Sequence, residues 1–349
     1  MNRLNLRDIA SLDSLIAGAA RITVIGHMKP DGDAVGSGVA MLSFLESLGK
    51  DAAVVLPDTY PATLSFLIPP HVQGKVIVYE DFPDKASERL LSSDLILCQD
   101  FNSFSRTGDA CTVLSASSAE KILIDHHPDP DRECFNLCFS DTEVSSTAEL
   151  LYHILMEMPQ TGHDAHNLPS LTATALMTGM TTDTNNFANS VFPTTLVMAS
   201  ELLEAGVDRE RIIGNVFNSY GESRIRLMGY LLDKCLKITG DGVAYMILDR
   251  KTAMKFGIRE GDTEGFVNIP LAIRDVRMSI FLKEDTDRFR VSIRSKKGIS
   301  ANLCARKYFN GGGHELASGG RLMIPGDVRN SRQASSYIKK VTHTFMTGQ

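Results

Sequence analysis

The sequence has no apolar run approaching the roughly 18 residues needed to cross a bilayer, which excludes a membrane-spanning helix. Its first residues, Met1-Asn2-Arg3-Leu4-Asn5-Leu6-Arg7, lack the apolar block of a signal peptide, so the expectation is a cytoplasmic protein. Cysteines are few: Cys98, Cys111, Cys134, Cys138, Cys235 and Cys304, with no Cys-x-x-Cys spacing. Most sit in apolar runs and read as buried, reduced thiols rather than as disulfides or zinc ligands. An excess of positive charge is also missing. The formal net charge is −6, which argues against a dedicated binder of duplex DNA. No internal repeat and no low-complexity segment is present.

What is present fits a globular protein, with 43% hydrophobic and 22% charged residues. At 349 residues the chain is long for one core, so two domains are expected. Charge is uneven along it. From Lys283 to Lys307 there are eight Lys or Arg against three Asp or Glu. Such a segment suits a small anionic ligand or a short nucleic acid strand, and equally a solvated strand face.

The first half alternates short apolar runs with helical stretches. Residues 7–19 read as an amphipathic helix, and Ile22-Thr23-Val24-Ile25 as a buried strand. Further strands are expected at 51–56, 75–79, 94–100 and 121–127, with helices at 35–48, 61–67 and 85–91. This pattern means a parallel sheet with helices on both faces. After residue 144 the chain turns helical. Ser145-Ser146-Thr147-Ala148-Glu149 offers an N-cap signature, and helices are expected at 169–182, 193–205, 209–218 and 222–235. From residue 236 the signals are those of a smaller α+β domain. They comprise the turn Gly240-Asp241-Gly242, alternating strands at 276–282 and 289–294, a helix at 299–309, the run Asn310-Gly311-Gly312-Gly313-His314, and a last helix at 331–345. The expected division is a catalytic domain over 1–220, a linker helix over 221–240 and a second domain over 241–349 across a cleft.

The loop Gly26-His27-Met28-Lys29-Pro30-Asp31-Gly32-Asp33-Ala34 leaves the first strand. In open α/β sheets, sites form outside the carboxyl ends of strands. His27, Asp31 and Asp33 are therefore either metal ligands or parts of a turn that uses Asp and Gly for backbone reasons. Other polar residues also stand at element ends: Asp100, His126, His127 and Asp183. Four carboxylates could not share a pocket unneutralised, because like charges at close range raise each other's pKa. Two divalent cations resolve this. Asp100 can bridge them, with His27 and Asp31 completing one set of ligands and Asp33, His126 and Asp183 the other. Mixed imidazole and carboxylate ligands favour Mn²⁺, with Fe²⁺ or Co²⁺ as alternatives, whereas an all-oxygen set would suit Mg²⁺. Two metals roughly 3.5–4 Å apart can hold a hydroxide and stabilise both ends of an in-line attack on phosphorus.

These motifs resemble the DHH phosphoesterase superfamily, to which RecJ-type exonucleases also belong. The residues that carry the likeness are His27-Met28-Lys29-Pro30-Asp31-Gly32-Asp33, Asp100 with Arg106-Thr107-Gly108, Asp125-His126-His127-Pro128, and Asp183-Thr184. Gly311-Gly312-Gly313-His314 resembles the DHH-associated domain. The resemblance covers nearly the whole chain and implies the same six ligands: His27, Asp31, Asp33, Asp100, His126 and Asp183. By it, Asp125 orients the histidines without binding metal. Asp100 and His127 are the catalytic candidates, His127 stabilising or protonating the substrate phosphate. Arg106 contacts phosphate, and Arg294 and Ser295 grip the nucleotide end distant from the scissile bond. Gly312 and Gly313 are expected ahead of a helix, offering backbone N–H groups to an anion, with His314 stacking on a base or bonding phosphate. The alternative for these glycines is tight packing against a strand. Two positions depart from the family pattern, Asn310 and Asn185, each standing where relatives carry glycine. Asn tolerates left-handed backbone, so the loop at Asn310 is expected to survive, while Asn185 is expected to alter the pocket edge and leave Asp183 in place. His71, His153, His163, His166, His343, Met177 and Met180 read as loop, surface or core residues.

Within the superfamily, the chain resembles the bifunctional oligoribonuclease and PAP phosphatase type. That likeness implies hydrolysis of RNA pieces of a few nucleotides, of linear dinucleotides such as pApA, or of adenosine 3′,5′-bisphosphate (PAP). The alternatives are a manganese pyrophosphatase or exopolyphosphatase, and a non-catalytic nucleotide-binding regulator. Neither a membrane nor long duplex DNA is an expected partner, and a homodimer is compatible with the sequence.

Overall fold

The computed structural model describes residues 4–258, 261–313 and 315–348. The chain divides into two compact units, Met1–Ser219 and Tyr220–Gln349. Among the described residues no helix is long and apolar enough to cross a membrane.

The first unit opens with α1 (Leu6–Gly18), capped by the Asn5 side chain, which accepts from the Arg7 N–H. Leu12 and Ile16 on this helix are buried, and burying each such side chain is worth about 1.5–3 kcal/mol. Six strands follow: β1 (Arg21–Ile25), β2 (Asp51–Leu56), β3 (Val76–Val78), β4 (Leu95–Gln99), β5 (Glu120–Asp125) and β6 (Leu137–Ser140). They form one all-parallel sheet in the order β3-β2-β1-β4-β5-β6. Between them run α2 (Gly32–Ser47), α3 (Pro70–Gln73), α4 (Pro83–Leu91) and α5 (Cys111–Ala116). After them come α6 (Thr147–Glu157), α7 (Ser170–Asp183), α8 (Pro193–Glu204) and α9 (Arg209–Val216). Strand residues alternate between faces, as a pleated strand requires. Val24, Leu97 and Ile124 join the larger core with α1, α2, α6 and α7, while Ile25, Ile96, Cys98 and Leu123 join the core under α4 and α5. Strand β6 has no apolar run long enough to mark it in the sequence; pairing with β5 creates it.

Helices α2 and α7 pack unusually close. A Cβ on Gly36 would lie 2.7 Å from the Ala175 carbonyl oxygen, and one on Gly179 would lie 2.8 Å from Asp33 Oδ1. These glycines let the start of α2 and the end of α7 lie side by side.

The second unit holds α10 (Glu222–Tyr230), β7 (Lys237–Ile238), β8 (Val243–Leu248), α11 (Arg250–Lys255), β9 (Met278–Glu284) and β10 (Arg288–Ser295). These are followed by α12 (Ala301–Tyr308), β11 (Gly312–Gly313), β12 (Ala317–Met323) and α13 (Ser331–Thr347). Its sheet is mixed, in the order β11-β12-β10-β9-β8-β7, with β8 and β9 parallel. One face packs on α12 and α13 through Tyr245, Ile280, Val291 and Ile293; the other packs on α10 through Met246 and Phe281. The helix read as a linker lies in this second unit, where Leu227 and Leu231 are buried against the sheet. Of the six cysteines, all free, only Cys98 and Cys304 are fully buried, so the expectation of buried thiols holds for those two.

Candidate metal centre

Strand order reverses between β1 and β4, and the space beyond the carboxyl ends of those two strands is where open α/β sheets place their ligands. His27 follows β1, and Asp100 follows β4 in a left-handed backbone conformation, φ 64°. His126 and His127 follow β5, and Asp183 is the last residue of α7. Asp31 is the N-cap of α2, its Oδ1 accepting from the N–H groups of Asp33 (3.0 Å) and Ala34 (3.2 Å). The helix therefore begins earlier than periodicity indicated. Asp33 lies in its first turn, not on the loop, and is buried there.

Seven predicted residues are brought together. His27 Nε2 lies 3.4 Å from Asp100 Oδ2 and 3.8 Å from Asp31 Oδ1. His126 Nε2 lies 3.4 Å from Asp183 Oδ2, 3.7 Å from Asp100 Oδ1 and 4.0 Å from Asp33 Oδ2. His127 Nδ1 lies 2.8 Å from Asp125 Oδ1 and 3.8 Å from Asp100 Oδ1. Among the described residues, three sets offer ligand atoms within 4.8 Å of one another: His27, Asp31 and Asp100; Asp33, His126 and Asp183; and Asp100, His126 and His127. His27 Nδ1 is 2.8 Å from the Met28 carbonyl, which turns Nε2 towards the carboxylates.

The electrostatics of the cluster call for added positive charge. Burial, then Asp100, Asp183 and Asp31, push the Asp33 carboxyl well above its usual range. Burial, with Asp100 and Asp31, pushes Asp183 up to about 8. Asp100 is held well below the usual range, because His27, His126 and His127 outweigh the opposing effect of burial. Burial lowers His27, but Asp100 and Asp31 prevail and raise it to about 10. In protein alone, protons on these groups relieve the repulsion. Divalent cations would replace those protons, and the oxygen and imidazole donors suit them.

Sequence reasoning missed two contributors here. At the start of α6, Thr147 donates to Asp33 and Asp100, and Ala148 donates to Asp33. The only signal for these was the N-cap signature at 145–149, which Ser146 fulfils by accepting from the Glu149 N–H. Arg106 is half-buried, and its charge is felt by His127.

In the second unit the predicted residues are placed differently. Arg294 and Ser295 end β10, as expected. Arg294 Nη1 donates to the Ile293 carbonyl (3.0 Å), and Ser295 Oγ donates to the Ile299 carbonyl (2.6 Å). The Ser295 proton is thus occupied, which leaves the hydroxyl only lone pairs to offer and weakens its expected role at an anion. The glycine run does not precede a helix. It follows α12, and Gly312 and Gly313 pair with Gly319 and Ser318 of β12. A Cβ on Gly311 would lie 2.0 Å from the Gly319 carbonyl oxygen, so tight packing against a strand accounts for that glycine. His314 lies outside the described residues. Asn310 and Asn185 both adopt left-handed backbone, φ 47° and 46°, as their tolerance for it allows.

Residues 21–180 match the DHH family, N-terminal domain, and residues 240–340 match the DHHA1 domain. The chain is 30% identical over 305 residues to the bifunctional oligoribonuclease and PAP phosphatase NrnA of Thermus thermophilus, covering 86% of this chain and 84% of that protein. It is 28% identical over 303 residues to the Bacillus subtilis protein of the same name, covering 85% and 87%. Among solved structures it resembles an exopolyphosphatase-related protein from Bacteroides fragilis, with a TM-score of 0.91, 33% identity and coverage of 99% and 98%.

Proposed function

This chain belongs to the DHH family and is a hydrolase of phosphoester bonds, and from that premise we propose that it degrades very short RNA and dephosphorylates adenosine 3′,5′-bisphosphate. Linear dinucleotides such as pApA belong to the same substrate class. The observation that carries this reading is the convergence of three donor sets that share Asp100 and His126 at the switch point of the sheet. The names of relatives that match most of both chains support the substrate class.

In this reading Asp100, which stands in two of the donor sets, would help to hold two divalent cations. His27 and Asp31 would hold one, and Asp33, His126 and Asp183 the other, with Mn²⁺ favoured by the mixed donors. Bound there, two divalent cations would supply Lewis-acid stabilisation of the phosphate and acidify the attacking water. The chain's own residues do the rest. Asp125 braces His127 through Nδ1, so that the imidazole is oriented to protonate the leaving oxygen. Arg106 adds a positive charge beside His127 for the phosphate oxygens. The first unit is assigned catalysis and the second substrate grip, through Arg294 and the backbone at Gly312 and Gly313.

The test is a substrate panel with Mn²⁺: short RNA, adenosine 3′,5′-bisphosphate, pApA, cyclic di-AMP, pyrophosphate and polyphosphate. Release of nucleotides from short RNA and of phosphate from the bisphosphate is expected. The likeness to the exopolyphosphatase-related protein favours one second reading. Turnover of polyphosphate or pyrophosphate alone would replace the proposal with it. Turnover of nothing in the panel would favour a nucleotide-binding regulator.

A further inference from the structure

Thr147 opens α6 and is fully buried. Its backbone N–H donates to Asp33 Oδ2 (2.7 Å), and its hydroxyl donates to Asp100 Oδ1 (3.0 Å). The next N–H, that of Ala148, donates to Asp33 Oδ1 (2.9 Å). One residue therefore holds two carboxylates that belong to different donor sets. With Oδ1 tied to Thr147 on the His126 side, Asp100 turns Oδ2 towards His27. The rotation of both carboxylates is fixed from behind.

Two residues further along α6 stands Glu149, fully buried, whose carboxylate bonds Ser145, Thr194 and Thr195. Glu149 Oε2 accepts from the Ser145 N–H (2.9 Å), the Ser145 hydroxyl (2.5 Å) and the Thr195 hydroxyl (2.6 Å). Oε1 accepts from the Thr194 hydroxyl (2.6 Å), and His153 Nε2 lies 3.6 Å away. Against the upward effect of burial, His153, Ser145, Thr194 and Thr195 hold this carboxyl down at about 2. An apolar side chain could join α6 to α8 at lower desolvation cost. A buried anion with four donors gives direction instead: it fixes the backbone at Ser145, two residues before Thr147.

We propose that Thr147 and Glu149 are positioning residues for the metal centre, Thr147 setting which oxygens of Asp33 and Asp100 face the cations and Glu149 setting Thr147. The proposal rests on the metal-dependent reading of the site. The experiment is calorimetric titration of the full, metal-free chain with Mn²⁺, alongside its melting temperature. Thr147→Val keeps the backbone N–H and the side-chain shape but removes the hydroxyl. It is expected to weaken Mn²⁺ binding by about 10–100-fold, the range for losing an outer partner of a metal ligand, with little change in melting. Thr147→Ser restores the affinity, and Glu149→Gln weakens it in a folded protein. Wild-type affinity in Thr147→Val, or no rescue by Thr147→Ser, overturns the positioning role while the metal reading stands. Absence of Mn²⁺ binding by the unaltered chain overturns the metal reading, and this inference with it.

Discussion

At the carboxyl edge of the first sheet, four carboxylates and three imidazoles crowd together with charge left over. Around the start of β12 in the second unit, several polar groups are instead met within the chain. Arg294 bonds the Ile293 carbonyl, Ser295 bonds the Ile299 carbonyl, and Gly313 pairs with Ser318. In the first region like charge and burial drive Asp33 and Asp183 towards protonation. In the second, Ser295 and Gly313 are already engaged within the chain, and Arg294 keeps donors to spare. Losses in the first region should therefore appear in turnover and metal response, and losses in the second in substrate affinity.

The largest effect comes from removing the residue shared by two of the donor sets. Asp100→Ala is expected to lower kcat on short RNA by more than the roughly 100-fold that follows loss of an outer partner of a metal ligand. Folding should survive, as judged by circular dichroism. Retained turnover in a folded Asp100→Ala protein would remove Asp100 from the centre and erase the contrast between the two regions.

A smaller effect follows from the excess negative charge. The Asp183 carboxyl titrates at about 8 in the fold, raised by burial and by Asp100 and Asp31 from an ordinary value of 3.8. Between those values the folded state holds a proton that the unfolded state has lost, so stability falls as pH rises through that window. His27 adds to the fall at its upper end: its raised pKa gives stability that is complete below 6.5 and lost as pH climbs towards 10. The metal-free protein should thus melt lower at pH 8 than at pH 5, at roughly 2–4 °C for each kcal/mol lost in a unit of this size. Mn²⁺ should reverse the drop, and Asp183→Asn should flatten it and blunt the Mn²⁺ response. A metal-free melting temperature that does not change over this range would sink the argument.

This contrast was only half legible in the sequence. Histidines and carboxylates at the ends of apolar runs are visible one strand at a time, because a buried strand fixes where its polar terminus must emerge. Asp100 and His126 could be collected that way, and Asp183 by the same logic at the end of a helix. The place of Asp33 in the first turn of α2 could not, because Asp31 caps the helix before its apolar periodicity begins. Thr147 was hidden for a different reason: its partners lie 114 and 47 residues away, and nothing local marks a threonine as their donor. The glycine run misled because glycine permits several environments. Its close approach to Gly319 and Gly320 depends on a pairing between β11 and β12 that three glycines do not announce. Strand β6, half-buried and short, is likewise a product of its neighbour.

The smallest effect tests the second region, where two adjacent residues at the end of β10 should now part company. The Arg294 guanidinium is partly buried, and burial lowers its pKa, yet among the described residues its side chain makes one hydrogen bond, from Nη1 to the Ile293 carbonyl. That leaves guanidinium donors for a phosphate, and a charged hydrogen bond of this kind is worth about 1.5–3 kcal/mol. Arg294→Ala should raise KM for a dinucleotide by roughly tenfold or more, at constant kcat, because 1.4 kcal/mol corresponds to a factor of ten. Ser295→Ala should leave KM nearly unchanged and lower the melting temperature instead, because the hydroxyl closes the turn to Ile299. A Ser295→Ala variant that loses affinity as much as Arg294→Ala would mean that the hydroxyl leaves Ile299 to meet the substrate. The second region would then be rearranged by its ligand, and the bond from Ser295 to Ile299 would belong to the free protein alone.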